Sequence, residues 1–146
     1  MLLFLYKKHF FYLLGKIESS NKNLGSGSGW HRDSPITNQF KTILYLSNVN
    51  DSNGPFEYIK GSHTYDKMLK VNQHLNKALN KRRFSDEEIE LLVKDNVVLK
   101  PERFLAPQGT LIFVNTRGIH RGAPLKEEKR YALTRYHFPW KNKKFN

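Results

Sequence analysis

The sequence contains no cysteine among its 146 residues. That single absence excludes disulfides, thiolate metal sites and cysteine nucleophiles, and it leaves histidine and carboxylate as the natural metal ligands. Such a composition suits a reducing compartment, and a soluble, cytoplasmic protein is the expectation. Long apolar runs are missing too. Met1-Leu2-Leu3-Phe4-Leu5-Tyr6 is interrupted by Lys7-Lys8, so it is too short for a membrane span and lacks the basic leading region of a signal peptide. Acidic residues are scarce, with 13 Asp and Glu against 25 Lys and Arg and a formal net charge of +12.

That charge has two readings. A polyanion partner such as nucleic acid would be attracted by clustered Lys and Arg. The basic residues, however, fall in short groups at Lys7-Lys8, Lys81-Arg82-Arg83 and 141–144, without the single basic stripe and interleaved aromatics of a nucleic-acid footprint. A solvated basic surface and a small-molecule substrate are therefore favoured over a nucleic-acid partner. Hydrophobic residues at 38% and charged residues at 26% describe a globular chain, and its length suits one domain.

The patterning predicts a mainly β domain. Residues 2–18 form an apolar element, helical at first and extended near Lys16-Ile17-Glu18. Gly25-Ser26-Gly27-Ser28-Gly29 carries loop chemistry, either as a connector or as the rim of a site. Residues 40–46 read as a strand, and Asn53-Gly54-Pro55 as a turn before a short strand over 56–59. Between 65 and 96 the period becomes helical: one helix through Met68, Leu75 and Leu79, and a second opened by the capping box Ser85-Asp86-Glu87-Glu88. Strand patterns resume at 97–99, 111–114 and 131–138. Strands, a helical insertion, then strands again is not the alternation of a parallel α/β sheet; it points to a sandwich or jelly roll.

The chemistry concentrates in Trp30-His31-Arg32-Asp33. On an extended chain, residues two apart face the same way, roughly 6.5–7 Å from each other, so His31 and Asp33 can address one ion. His120 follows an apolar strand downstream. Two histidines and one carboxylate make the facial triad of non-haem iron enzymes. Arg130 lies ten residues beyond His120, a spacing that suggests a hairpin returning its guanidinium beside the strand of His120, where it can clamp a carboxylate bidentately.

These pieces resemble the phytanoyl-CoA dioxygenase family of the double-stranded β-helix oxygenases. The matching segments are Trp30-His31-Arg32-Asp33, Asn53-Gly54-Pro55 with Gly61-Ser62-His63, Gln108-Gly109-Thr110-Leu111-Ile112-Phe113, Ile119-His120-Arg121-Gly122 and Arg130-Tyr131-Ala132-Leu133. The resemblance runs over about residues 29–138, in the family's order. It implies a cupin-like jelly roll with a helical insertion at about 65–96. It implies iron(II) held by His31, Asp33 and His120, and 2-oxoglutarate bound by Arg130, with Arg135 the weaker alternative. It also implies that molecular oxygen drives decarboxylation of the co-substrate to succinate and hydroxylation of an organic substrate. Related halogenases carry a small residue in place of the carboxylate, so Asp33 favours hydroxylation.

Two departures from the family stand out: the short segment before the motif and the short loop between His120 and Arg130. The first suggests a minimal version, a fragment, or a sheet edge covered by a second subunit in a homo-oligomer. A cupin-like binding protein without turnover is the alternative of a different class. Lys41 and Tyr45 share one face of the 40–46 strand and Thr42 and Leu44 the other; Lys41 and Tyr45 are the candidate co-substrate contacts. Trp30 reads equally as core or pocket mouth. His63 reads as a loop tie, His137 as a structural or supporting residue, and His9 and His74 carry no accompanying ligands. Asn115 and Arg117 read as supporting or substrate groups, with solvent exposure the plainer reading for Arg117.

Overall fold

Period-two alternation decides the larger sheet. Along Phe40–Tyr45, Lys41, Ile43 and Tyr45 are buried while Phe40, Thr42 and Leu44 are not. A strand with one apolar face needs a second layer to cover it. The computed structural model, which describes residues 2–7, 10–18, 24–126 and 129–137, supplies that layer as a second sheet. The strands are β1 (Leu2–Lys7), β2 (Phe10–Glu18), β3 (Phe40–Tyr45), β4 (Phe56–Tyr58), β5 (Glu102–Phe104), β6 (Leu111–Asn115), β7 (His120–Gly122) and β8 (Lys129–His137). The helices are α1 (Tyr65–His74) and α2 (Asp86–Lys94). One sheet has the order β1-β2-β8-β3-β6 and the other β5-β4-β7, and every strand pair is antiparallel. Ile43, Tyr45, Ile112, Val114 and Ala132 from the first meet Phe56 and Tyr58 from the second in one core. The architecture is mainly β and consistent with a cupin-like fold.

The helices cover the opposite face of the smaller sheet. Val71 of α1 and Ile89 and Leu92 of α2 form a second core with Trp30, Ile59, Phe84, Val98 and Ile119. The capping box is formed as the sequence indicates: Ser85 Oγ accepts from Glu88 N at 3.2 Å and Glu88 Oε2 from Ser85 N at 3.0 Å. The register of the smaller sheet is braced by Glu57, which is opposite Arg103 on one side and Arg121 on the other. Both guanidinium Nε atoms donate to its buried carboxylate, at 2.7 and 2.6 Å. Because a one-residue slip would turn every side chain to the wrong face, this triplet helps keep His120 pointed inward.

Three local expectations are corrected. The N-terminal element is a β-hairpin, not a helix; β2 pairs with β8 from Phe10↔His137 to Glu18↔Lys129. A helix there would leave the long edge of β8 unpaired, and its aromatic-rich sequence favours an extended chain. The first helix stops at His74 instead of running to Leu79: Asn76 turns left-handed at φ 48°, and Leu79 is exposed. Residues 97–99 are the exit of α2 and not a strand, since Val97 N and Val98 N both donate to Leu92 O, at 2.8 and 3.2 Å. No helix is long and apolar enough to cross a membrane among the described residues.

Leu92 is fully buried in the helical core. Leu92→Ala is expected to destabilise the chain by about 2–5 kcal/mol, read from the urea midpoint at unchanged slope.

Candidate metal centre

The 30–33 segment is bonded on both sides. His31 N donates to His120 O at 2.9 Å and His120 N returns to His31 O at 2.8 Å, the reciprocal pair of an antiparallel bridge. On the other flank Arg32 N donates to Arg82 O at 2.8 Å. Directly opposed residues project to one face, so the two imidazoles lie together, with ring centroids 4.3 Å apart. Asp33 is anchored separately, its N donating to Thr116 O at 2.9 Å.

The imidazoles are oriented by their own backbone. His31 Nδ1 lies 2.9 Å from Gly29 O and His120 Nδ1 2.9 Å from Gly118 O. A carbonyl only accepts, so each Nδ1 carries the proton and each Nε2 presents its lone pair. Those Nε2 atoms face Asp33: His31 Nε2 is 3.7 Å from Oδ1, and His120 Nε2 is 4.0 Å from Oδ2. The three ligand atoms lie within 4.8 Å of one another. His120 Nε2 is buried without a hydrogen-bond partner among the described residues. A buried imidazole nitrogen left open beside a carboxylate fits a divalent cation, and the carbonyl ties are the outer support that such ligands need.

Electrostatics point the same way. Burial holds both histidines below the ordinary imidazole range, with the Lys41 ammonium adding to the effect. Burial pushes the Asp33 carboxyl up, but Lys41 and His120 outweigh it and keep its net position below normal. At neutral pH the trio is therefore two neutral imidazoles and one carboxylate. Lys41 Nζ stands 2.8 Å from Asp33 Oδ2 as an ion pair and 4.5 Å over the Tyr136 ring.

A cavity of about 180 Å³ opens between the sheets beside these groups. Arg130, Ser26, Lys41, Tyr45, Thr134 and Tyr136 are among its lining. Arg130 is buried; its Nη2 donates to Ser26 Oγ at 2.9 Å, while Nε and Nη1 have no hydrogen-bond partner among the described residues. It does not arrive by a hairpin beside His120, as its spacing suggested. β7 belongs to the smaller sheet and β8 to the larger, so Arg130 reaches the cavity from the facing sheet. Arg135 is an odd number of residues along β8 and points to the other face. Lys41 and Tyr45 both line the cavity, but the Tyr45 hydroxyl is engaged: it donates to Phe104 O at 3.1 Å and accepts from Phe56 N at 3.0 Å.

The glycine-serine loop is a wall of the site. A Cβ on Gly27 would run into the His31 ring, and one on Gly122 would meet Ser26 Oγ and, at 2.8 Å, Arg130 Nη2. Ser26, Thr134 and Tyr136 escaped sequence reasoning. For Thr134 and Tyr136 the usable signal was the shared parity with Arg130 along β8.

The remaining candidates sit elsewhere. His63 Nδ1 lies 3.4 Å from the Tyr58 hydroxyl, His137 Nε2 3.1 Å from Thr42 Oγ1, and His74 pairs with Asp95 at 2.8 Å. His9 is outside the described residues. Trp30 is core, with the Arg121 guanidinium 4.3 Å over its ring. Asn115 Nδ2 donates to Asn38 Oδ1 at 3.2 Å and Arg117 Nε is 3.3 Å from Met68 Sδ.

No known family profile matches the chain, and no curated protein matches it by sequence. Solved structures match by fold. The non-heme alpha ketoglutarate dependent carbocyclase SnoK from nogalamycin biosynthesis superposes with a TM-score of 0.57 at 13% identity, over 93% of this chain and 49% of its own. The related epimerase SnoN gives 0.51 at 19%, over 94% and 47%. EctD from S. alaskensis with bound Fe gives 0.55 at 15%, over 93% and 44%. The chain spans about half the length of these enzymes, and at such identities the likeness is one of fold.

Because Gly27 makes room for the His31 ring, Gly27→Ala is expected to weaken Co(II) binding, followed by its visible absorbance, at least about tenfold. Gly109→Ala, where a Cβ meets nothing within 4 Å, controls for backbone strain at a left-handed residue away from the site.

Proposed function

We propose that this chain is an iron(II)- and 2-oxoglutarate-dependent dioxygenase of the double-stranded β-helix type, similar to the phytanoyl-CoA dioxygenases, that hydroxylates a small organic substrate. The observation that carries the reading is one cavity with two kinds of unmet demand. On one wall, two lone-pair imidazole nitrogens and a carboxylate surround a common centre; on the other, a buried guanidinium has donors without partners among the described residues. A dication answers the first and a dicarboxylate the second. The neighbouring fold supports the class, since SnoK and SnoN are named as alpha-ketoglutarate-dependent enzymes and EctD carries iron.

His31, Asp33 and His120 hold the metal in this reading. Iron(II), when bound, supplies the coupling between reduction of molecular oxygen, decarboxylation of 2-oxoglutarate to succinate and carbon dioxide, and oxidation of a substrate C–H bond. The protein's part is binding and placement. Arg130 takes the distal carboxylate, with Ser26 fixing one guanidinium nitrogen so that the others face the ligand. Lys41, 2.8 Å from Asp33 Oδ2, keeps the carboxylate charged and in place, and Asp33 would offer it to the metal. The buried wall of Ile43, Tyr45 and Phe56 keeps water away from the reacting centre. The cavity of about 180 Å³ beside these groups is where the co-substrate would sit.

Anaerobic addition of Fe(II) and 2-oxoglutarate is expected to give a weak visible absorbance, and oxygen is expected to yield succinate. His120→Ala should abolish both. Arg130→Met should keep metal binding but weaken 2-oxoglutarate at least about 30-fold, equivalent to about 2 kcal/mol. Failure of the intact chain to bind iron and 2-oxoglutarate would overturn the proposal. Binding without succinate across a broad substrate panel would leave a cupin-like binding protein.

A further inference from the structure

The strand segment that carries the metal ligands has a second face, and that face holds an anomaly. Arg32, between His31 and Asp33, is 0% exposed. Its Nε, Nη1 and Nη2 have no hydrogen-bond partner among the described residues. Its nearest attractive contact is the Phe84 ring, 5.1 Å from Cζ, and Arg117 is close enough to add repulsion. Burying an unpaired charge is costly, so a guanidinium in this state calls for a missing negative partner.

Its surroundings supply more of the same sign. A cavity of about 540 Å³ is lined by His31, Arg32, Asn80, Lys81, Arg82 and Arg83. Lys81 is neutralised by Glu88 at 2.7 Å. Arg82 donates only a long 3.5 Å bond to Arg32 O, and Arg83 bonds the carbonyls of Gly27 and Ser28 at 2.7 and 3.1 Å. Neither arginine has a carboxylate partner among the described residues, and the lining of the cavity holds no carboxylate. A carboxylate would answer one of them. A phosphate monoester carries about two charges and three acceptor oxygens, and planar guanidinium groups match it bidentately.

We propose that this cavity binds a phosphate group, and that the substrate of the adjoining metal centre is a small molecule carrying one. Arg82, Arg83 and Asn80 supply the donors from the exposed rim, and Arg32 belongs to the same lining. His31 lines this cavity and the metal cavity alike, so a phosphate seated here would hold the rest of its molecule at the edge of the metal site. The assignment of substrate class rests on the oxygenase reading; the anion site itself does not.

The test is calorimetric titration of the full chain with inorganic phosphate and with glycerol 3-phosphate, at constant ionic strength in chloride, beside a Co(II) titration. Both phosphates are expected to bind below about 1 mM, and Arg82→Gln and Arg83→Gln each to weaken them about tenfold or more. Arg32→Met should also weaken them, yet raise the melting temperature in phosphate-free buffer, because an unmet buried charge is removed; a purely structural arginine would give a lower one. His120→Ala should lose Co(II) and keep phosphate, which separates failure of the metal reading from failure of this one. Phosphate held no better than chloride, or equally by Arg82→Gln, overturns the site. Binding of inorganic phosphate alone, or far tighter binding of a short RNA with a steep salt slope, overturns the small-molecule substrate.

Discussion

The reciprocal backbone pair between His31 and His120 is the interaction on which the site depends. It ties a short stretch outside the named strands to β7, and it sets both imidazoles on the same face without any side-chain contribution. Everything else is local refinement of that pairing. Gly29 O and Gly118 O choose the tautomer, Thr116 O brings Asp33 into line, and the Glu57 triplet holds β7 in register against β4. Break the pair and the two ligand nitrogens have no common direction, whatever their sequence spacing.

Charge balance is the second constraint. Lys41 answers Asp33, Glu57 answers Arg103 and Arg121, and these pairings sit where strands must not slip. Arg130 and Arg32 are buried without such answers among the described residues, on opposite sides of the smaller sheet. An unmet buried charge is costly by itself, which is why a binding role is proposed for each of these arginines. The two arginines differ in setting: Arg130 lines the cavity between the sheets, whereas Arg32 is in the lining of one with an exposed basic rim.

How legible this was depended on whether a feature was local. The capping box at Ser85, the Asn-Gly-Pro turn and the strand at 40–46 follow from short-range rules, and the structure forms all of them; which face of that strand is buried was left open by the sequence and is decided by the facing sheet. The N-terminal hairpin does not, because an apolar run of that length serves a helix as well as a strand. It was decided by the unpaired edge of β8 more than a hundred residues away in sequence. The same non-locality hid the approach of Arg130, since ten intervening residues are compatible with a hairpin or with a crossing between sheets. Ser26 was hidden by its composition, because a Gly-Ser run reads as a linker until Gly27 is seen to clear the His31 ring.

Alternation explains why one tetrapeptide can serve two sites. In Trp30-His31-Arg32-Asp33, the even and odd positions face opposite sides of the smaller sheet. His31 and Asp33 look into the space between the sheets. Trp30 and Arg32 look toward the helices, where Trp30 joins the core with Leu92 and Arg32 meets Phe84. The helical insertion therefore does more than cover an apolar face. The connection between its two helices carries Asn80, Lys81, Arg82 and Arg83, and its backbone bonds to Arg32 fix these residues at the flank of the metal-bearing segment. A change of length in that connection would move the basic rim and leave the His31–His120 pair in place, so the two cavities can vary independently.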